Sequence, residues 1–551
     1  MEGFDTIIIG SGVGGLATAI CLARAGQKVL VLEQHYVPGG WSHSFTLNGQ
    51  RFSPGVHYVG LIDEGQSTNE LYRGLGIAND MVFFSMNKKG YEHAIIGDET
   101  FSFPAGIDNL TQVLVDRFPH EKKNINKYLT LVVRVNRELQ LIPKLKGFWQ
   151  NITVPFRTKH FGKFSLFPLK KVIGWHIKDP LLKAVLNVQC GDHGLSPKRA
   201  CFPVHCSVMS HYFDGGFYPM GGGGGIVKAM TNGVKRFGGE VRVKQSVEKI
   251  IVENKKAVGV QLKSGEIIHA KNVVSNADPT ITYLNLIGKE FLSKKLIKKL
   301  ENTKYSVTSL ILFLTLDLDV TQFGIDSGNI WMMKDENDDA NFEDLMNNEI
   351  TEGELFPAIF MSCTTIKDPV SFNGRYHNFE VVTYVNYDKL NDFNGLGDYH
   401  NEEYALFKEK VIAKLMNNIE KIIPGAKQHV IQAELGTPKT NEFYVNSTRG
   451  NVYGTEKTLN QVGPFSYKNK AEISNLFLCG ASTLSHGVGG ATHSGVAAAA
   501  TILQCKPEDL LVEDKNQKLR VYDAEDQTTW PDWVHVKRSD KKRTFKELRD
   551  N

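Results

Sequence analysis

A short apolar run that breaks into glycines and then into an Ala- and Leu-rich segment constrains this chain more than any other feature. Phe4 to Ile9 (FDTIII) reads as a buried parallel strand. It runs into Gly10-Ser11-Gly12-Val13-Gly14-Gly15 and then LATAICLARA, a helix that stops at Gly26. Lys28 to Leu32 (KVLVL) is a second strand with Glu33 at its tip. Strand, glycine turn, helix, strand and acid within about thirty residues make the unit that holds a dinucleotide. Gly10 permits the tight turn, and Gly12, with Gly14 in the same loop, lets the backbone approach a pyrophosphate. Gly15 lets the helix pack close to the strand, and the helix N-terminus offers its N–H groups to the phosphates. Glu33 is placed to accept hydrogen bonds from ribose hydroxyls.

The dinucleotide reads as FAD rather than NAD. Gly39-Gly40 lies just beyond Glu33, and an acid followed by a Gly-Gly pair is the usual sequel in two-dinucleotide-fold flavoproteins, where that backbone passes close to the flavin. Two later islands would complete such a site. Gly215 to Gly225 is glycine-rich and precedes a helical stretch from Ile226 to Phe237, but no apolar strand leads into it, which argues against a second nucleotide fold. Asn475 to Ala500 repeats strand, glycine turn and helix through Gly480, Gly487, Gly489 and Gly490, flanked by His486 and His493.

Composition excludes several classes. Lys and Arg number 64 against 60 Asp and Glu, a net +4 that is too balanced for a nucleic-acid binder held by a basic face. The seven cysteines form no CxxC pair and no Cys/His cluster with zinc spacing, so no metal is expected and the thiols read as reduced, as in a cytoplasmic protein. The N-terminus does not read as a signal peptide, and no run of ~18 apolar residues spans a bilayer. From Leu139 to Lys178 there is no acidic residue, and basic residues alternate with Phe148, Trp149, Phe156, Phe161, Phe164, Phe167 and Trp175. This segment reads either as a peripheral membrane contact on anionic lipid or as a cap whose aromatics line an apolar tunnel.

The expected fold class is α/β, a Rossmann-like FAD domain assembled from separated segments with an inserted α+β substrate domain. The FAD parts are 1–70, 206–290 and 465–510; the substrate parts are 71–205, largely helical, and 291–464. A charged tail, 511–551, is expected to pack on the surface or remain partly disordered. Val307 to Leu318 and Phe379 to Val385 read as strands, Tyr404 to Ile422 as an amphipathic helix, and acidic Asp335 to Glu354 as a solvated loop.

These islands, with SPGVHYVG (Ser53 to Gly60), GGFYPMGG (Gly215 to Gly222), VVSNADP (Val273 to Pro279) and NEFYVNSTRGNVYG (Asn441 to Gly454), resemble the carotenoid desaturase and isomerase superfamily, and within it the retinol saturase-like branch. The resemblance implies noncovalent FAD and redox chemistry at carbon–carbon double bonds of a polyene or isoprenoid lipid. It also implies that Gly10, Gly12, Gly15 and Glu33 hold the ADP half, and that Val247 approaches the adenine through its backbone. Gly39, Gly40 and the Gly480 to Gly490 turn would hold the pyrophosphate, ribityl and ring. The chain departs from many relatives at Ala481, where they carry Asp or Gln, and at Trp41, which would narrow the pocket beside the flavin. Saturation needs a proton donor, and His57, Tyr58 and Tyr218 are the candidates. Reducing equivalents would come from an external donor. The alternatives are a cis–trans carotenoid isomerase, a phytoene-type desaturase, and a flavin-free prenyl-binding protein of the same fold.

Overall fold

The computed structural model describes residues 3–142, 154, 156–393, 401–512 and 514–550. Strand Phe4–Ile9 pairs in parallel with Val29–Leu32 on one side and with Ile267–Ser275 on the other; Glu240–Arg242 and Leu476–Leu478 extend the sheet. Segments more than two hundred residues apart therefore share one parallel sheet. Successive side chains of a strand face opposite sides, and the packing follows that rule. Ile8, Val29 and Val31 enter a core made with the helices Val13–Arg24, Gly223–Arg236 and Gly487–Leu503. Ile7, Leu30 and Leu32 enter a second core with Ile250, Val260, Tyr283 and Leu476. Strand Ile267–Ser275 runs through Lys271 without a break. Its first half pairs with the antiparallel hairpin Val247–Glu253 and Lys256–Leu262, and its second half lies in the parallel sheet.

The inserted residues build a second seven-stranded sheet, in the order Val430–Gly436, Thr308–Leu316, His377–Val385, Ala358–Cys363, Asn329–Met333, Glu92–Ile96, Glu99–Phe103. Residues 71–205 are thus not helical throughout: two of these strands come from them, and Val82–Ser85 joins a small sheet with Phe217–Pro219. The helix Glu402–Ile422 buries Tyr404, Phe407, Val411, Leu415 and Ile419 on one face.

One expectation is corrected, and one of two alternatives is realised. Asp335 to Glu354 contains a helix, Asp338–Asn347, whose N-cap Asn337 accepts from the Ala340 N–H and whose first turn carries Asp338 and Asp339. Acids placed there offset the helix dipole, so acid-richness marked a helix start as well as a solvated surface. The segment beyond Leu511 forms strand Arg520–Asp523, paired in parallel with Val82–Ser85, and helix Asp532–Asp550. It buries Trp530 and Val534 against Val82 and Phe84, so a few apolar residues suffice to dock a charged segment.

Candidate flavin and substrate site

The cradle is built from three separated turns. Helix Val13–Arg24 starts at Gly12 with no side-chain cap and no acid in its first turn, which leaves its leading N–H groups for an anion. Backbone approach is close there. A Cβ on Gly15 would lie 2.2 Å from the Gly10 oxygen, one on Gly12 2.5 Å from Asn276 Nδ2, and one on Gly14 3.0 Å from the Gly480 nitrogen. Asn276 follows strand Ile267–Ser275, and Gly480 follows Leu476–Leu478, so Gly10, Gly12, Gly14, Gly15 and Gly480 meet at one end of the parallel strands. That is where ligands of open α/β sheets bind.

Glu33 is buried at the tip of its strand. One carboxylate oxygen accepts from Ser11 N (2.9 Å) and Ser11 Oγ (2.5 Å), and the other from His35 N (2.9 Å). Ser11 Oγ also accepts from Gly39 N at 3.0 Å, and Gly40 stands against Gly12, which ties the Gly-Gly pair to the first turn. The Gln245 N–H donates to the Glu33 carbonyl at 2.8 Å, so the strand that begins at Val247 emerges beside the acid. At the far end, Gly489 faces open space and Gly490 packs on Ser485. His486 caps helix Gly487–Leu503; its buried Nδ1 has no partner among the described residues, and burial lowers its pKa to about 3. His493, two turns further on, is partly buried and also shifted down by burial. The uncapped helix end, the crowded glycines and the orphaned imidazole nitrogen fit FAD; when bound, FAD supplies a two-electron hydride exchange. Glu33→Ala removes charged acceptors worth about 1.5–3 kcal/mol each. It is expected to weaken FAD binding at least tenfold in a fluorescence titration of the apoprotein.

Against the cradle, groups of the inserted domain meet Trp41 and the turn that carries Ala481 and His486. Trp41 Nε1 donates to Asn451 O at 3.2 Å. Tyr384 and Tyr453 hydroxyls are 2.9 Å apart and both donate to Gly191 O, at 2.6 and 3.1 Å. His486 Nε2 lies 3.0 Å from Asp192 O. Lys457 Nζ donates to Ala481 O (2.8 Å) and Thr455 O (2.9 Å), and burial lowers its pKa to about 7. Ser482, the hydroxyl beside Ala481, accepts from Thr455 N at 3.2 Å.

The three proton-donor candidates fall in different settings. Tyr58 is buried, its ring stacked on Tyr212 at 4.0 Å, with its hydroxyl 2.5 Å from Glu92 Oε1 and 2.6 Å from Asp192 Oδ2. His57 Nδ1 lies 2.9 Å from Glu380 Oε2, and its carbonyl accepts from Lys367 Nζ at 2.9 Å. Tyr218 is buried in the small sheet with Lys367 Nζ 5.6 Å from its ring centre. Glu92, Asp192, Glu380 and Lys367 were not legible as site residues, since each comes from the insertion and carries no local motif. His193 and His205 form a buried pair, Nε2 to Nδ1 at 3.3 Å, with Cys190 Sγ 3.9 Å from His205. A cavity of about 820 Å³ between Ile95, Lys334, Phe356 and Lys414 shares none of the cradle residues.

Residues 13–503 match the family described as flavin containing amine oxidoreductase. Over 527 residues the chain is 28% identical to an all-trans-retinol 13,14-reductase of Homo sapiens, covering 91% of this chain and 86% of that one. It is equally 28% identical to a chloroplastic prolycopene isomerase of Daucus carota, covering 93% and 81%. Among solved structures, an oxidoreductase from Methanosarcina mazei superposes with a TM-score of 0.60 at 16% identity, covering 91% of this chain and 99% of that one, a likeness of fold. The dinucleotide cradle makes the flavin FAD, and the chain belongs to the flavin containing amine oxidoreductase family as an FAD-dependent oxidoreductase.

Proposed function

We propose that this enzyme adds hydrogen across a carbon–carbon double bond of a polyene or other isoprenoid lipid, as the retinol reductases it resembles are named for doing. The observation that supports this most is the pairing of that near full-length similarity with aromatic groups gathered against the cradle. Trp41, Tyr384 and Tyr453 are among them, and a flat conjugated chain packs well on such rings. The protein's part is to orient the polyene, exclude water and hold a proton beside the acceptor carbon. In this reading the backbone turns at Gly39, Gly40, Gly480, Gly489 and Gly490 hold the flavin half, and Val247 the adenine. Of the three donor candidates, Tyr58 has hydrogen-bonded acids behind it, whereas His57 precedes it in the turn and Tyr218 lies in the small sheet.

Electron stoichiometry tests the reading. Anaerobically reduced protein mixed with all-trans-retinol should regain the oxidised-flavin absorbance at the rate product forms, one flavin per double bond. An isomerase, the second reading supported by the Daucus carota similarity, would convert a poly-cis carotenoid over many turnovers while its flavin stays reduced.

We also infer that the enzyme meets its substrate at a membrane. Lys144, Lys146, Phe148 and Trp149 lie outside the described residues. Beyond them, Phe156 and Leu166 are 80% and 74% exposed and Trp175 is half exposed, among exposed Lys159, Lys163, Lys170 and Lys171. Among the described residues no helix is long and apolar enough to cross a bilayer. Replacing Leu166 and Trp175 by Ser should weaken binding to phosphatidylserine vesicles about tenfold or more, because burying each contributes about 1.5–3 kcal/mol. Sedimentation unchanged by the substitutions, or equal on neutral vesicles, would contradict the contact.

A further inference from the structure

Counting hydrogens around Tyr58 singles out one carboxyl group. Two short oxygen–oxygen contacts meet at its hydroxyl, 2.5 Å to Glu92 and 2.6 Å to Asp192. Each contact needs a hydrogen between its two oxygens, and a phenol carries only one. The second hydrogen must therefore sit on a carboxyl. Glu92 is already an acceptor on both oxygens, from Trp331 Nε1 at 3.0 Å and Gln189 Nε2 at 3.0 Å. Asp192 Oδ2 bonds to Tyr58, and among the described residues no N–H donor reaches the Asp192 carboxyl. The arrangement is satisfied when Asp192 is the neutral acid donating to Tyr58, and Tyr58 donates to an ionised Glu92.

Position separates the two acids as well. Glu92 is fully buried within its strand. The main chain of Asp192 is held against the cofactor side by His486, and that of Gly191 by Tyr384 and Tyr453. Asp192 therefore stands where the inserted domain meets the cradle.

The geometry points to Asp192 as the group that delivers the proton to the double bond, with Tyr58 and Glu92 positioning it and holding its hydrogen. This rests on the proposed reduction. In the step, the C=C π bond breaks and the Asp192 O–H bond breaks as its proton passes to one carbon; FAD, when bound and reduced, would supply the hydride for the neighbouring carbon. Two carboxylates then share the single Tyr58 hydrogen, and one proton taken from solvent restores the resting pair. Burial first and the Glu92 charge second push the Asp192 carboxyl well above its usual range, which keeps a proton there near neutrality. Burial raises Glu92 too, while its bonds from Tyr58, Trp331 and Gln189 and the Lys367 charge favour the ionised form.

Infrared spectroscopy of the purified FAD-loaded protein tests the assignment. Above pH about 8, Asp338 and Asp368, raised to about 7 and about 6, are ionised. A carboxylic-acid carbonyl band that shifts in D2O should persist there, move when aspartate is carboxyl-labelled with 13C but not when glutamate is, and vanish in Asp192→Asn. Flavin reoxidation by retinol should fall about 10²–10⁴-fold in the same variant with its flavin spectrum retained. Should Asp192→Asn not fold, the isotope shift decides the protonation state, read in the unmutated protein and again in Asp278→Asn, because burial raises Asp278 too. A band absent at that pH, or one that follows glutamate labelling, overturns the assignment, as does wild-type reoxidation in Asp192→Asn. A labelled aspartic-acid band in a protein whose flavin no polyene reoxidises would leave the neutral acid standing and refute the proposed substrate instead.

Discussion

Gly15→Ala protein should purify without bound flavin. The added Cβ would sit 2.2 Å from the Gly10 carbonyl oxygen and 3.3 Å from Asn276 Cβ. The first contact is with backbone, which has no flexible end to turn aside. To relieve it, helix Val13–Arg24 must move off strand Phe4–Ile9, and its N-terminus then leaves the phosphate position. The same helix is locked from its other side: a Cβ on Gly495 of the last helix would meet Gly14 O at 2.1 Å. Overpacking of this kind costs about 1–3 kcal/mol of stability, less than a domain of this size can absorb. The expected result is a folded, colourless protein with flavin occupancy reduced at least tenfold. Absorbance of released flavin, with circular dichroism as the control for folding, measures it. Full flavin occupancy would show that the phosphates are held elsewhere.

Glu380→Ala should cause the largest loss of stability among single substitutions near the site. Glu380 lies in strand His377–Val385 with its side chain fully buried. It accepts from Ser53 N and pairs with His57, so it fixes both ends of the turn that presents His57 and Tyr58. It also faces Lys367, a buried lysine whose Nζ donates to Ser362 Oγ, Asn329 Oδ1 and His57 O. Burial lowers the Lys367 pKa to about 7, and the Glu380 charge is the first influence opposing that fall. Removing the carboxylate leaves buried Lys367 without that charge, His57 without its partner and a backbone N–H without its acceptor. Loss of one partner from the buried His57–Glu380 contact, with the orphaned N–H, costs about 3–5 kcal/mol. Denaturant unfolding at neutral pH should show a loss of that size, and Glu380→Gln a smaller one.

The cofactor half of this molecule could be read from the sequence because its parts are local. Strand, glycine turn, helix and Glu33 follow one another, and the glycines are demanded by close backbone approaches that any such cradle repeats. The reacting half could not be read in the same way. Tyr58 stood out in its own turn, but the acids that give it meaning lie 34 and 134 residues away. Glu92 belongs to an edge region of the second sheet, and Asp192 to a short turn, Val188–His193, with no motif of its own. Only the tertiary fold brings these two parts of the 71–205 insertion against the turn that carries Tyr58. The acidic stretch near Asn337 and the C-terminal segment were underestimated for a related reason. Their charge suggested solvent, while their order came from one helix cap and a few buried side chains, Trp530 and Val534 among them.

The most direct test of the account is the mass of the product. The reduced holoprotein is incubated without oxygen with all-trans-retinol and, separately, with a poly-cis carotenoid, and each product is identified by mass and absorbance. The account predicts a gain of two hydrogens on the retinol and a shortened chromophore. An absorbance change at unaltered mass, with the flavin still reduced, would contradict it and make the enzyme an isomerase.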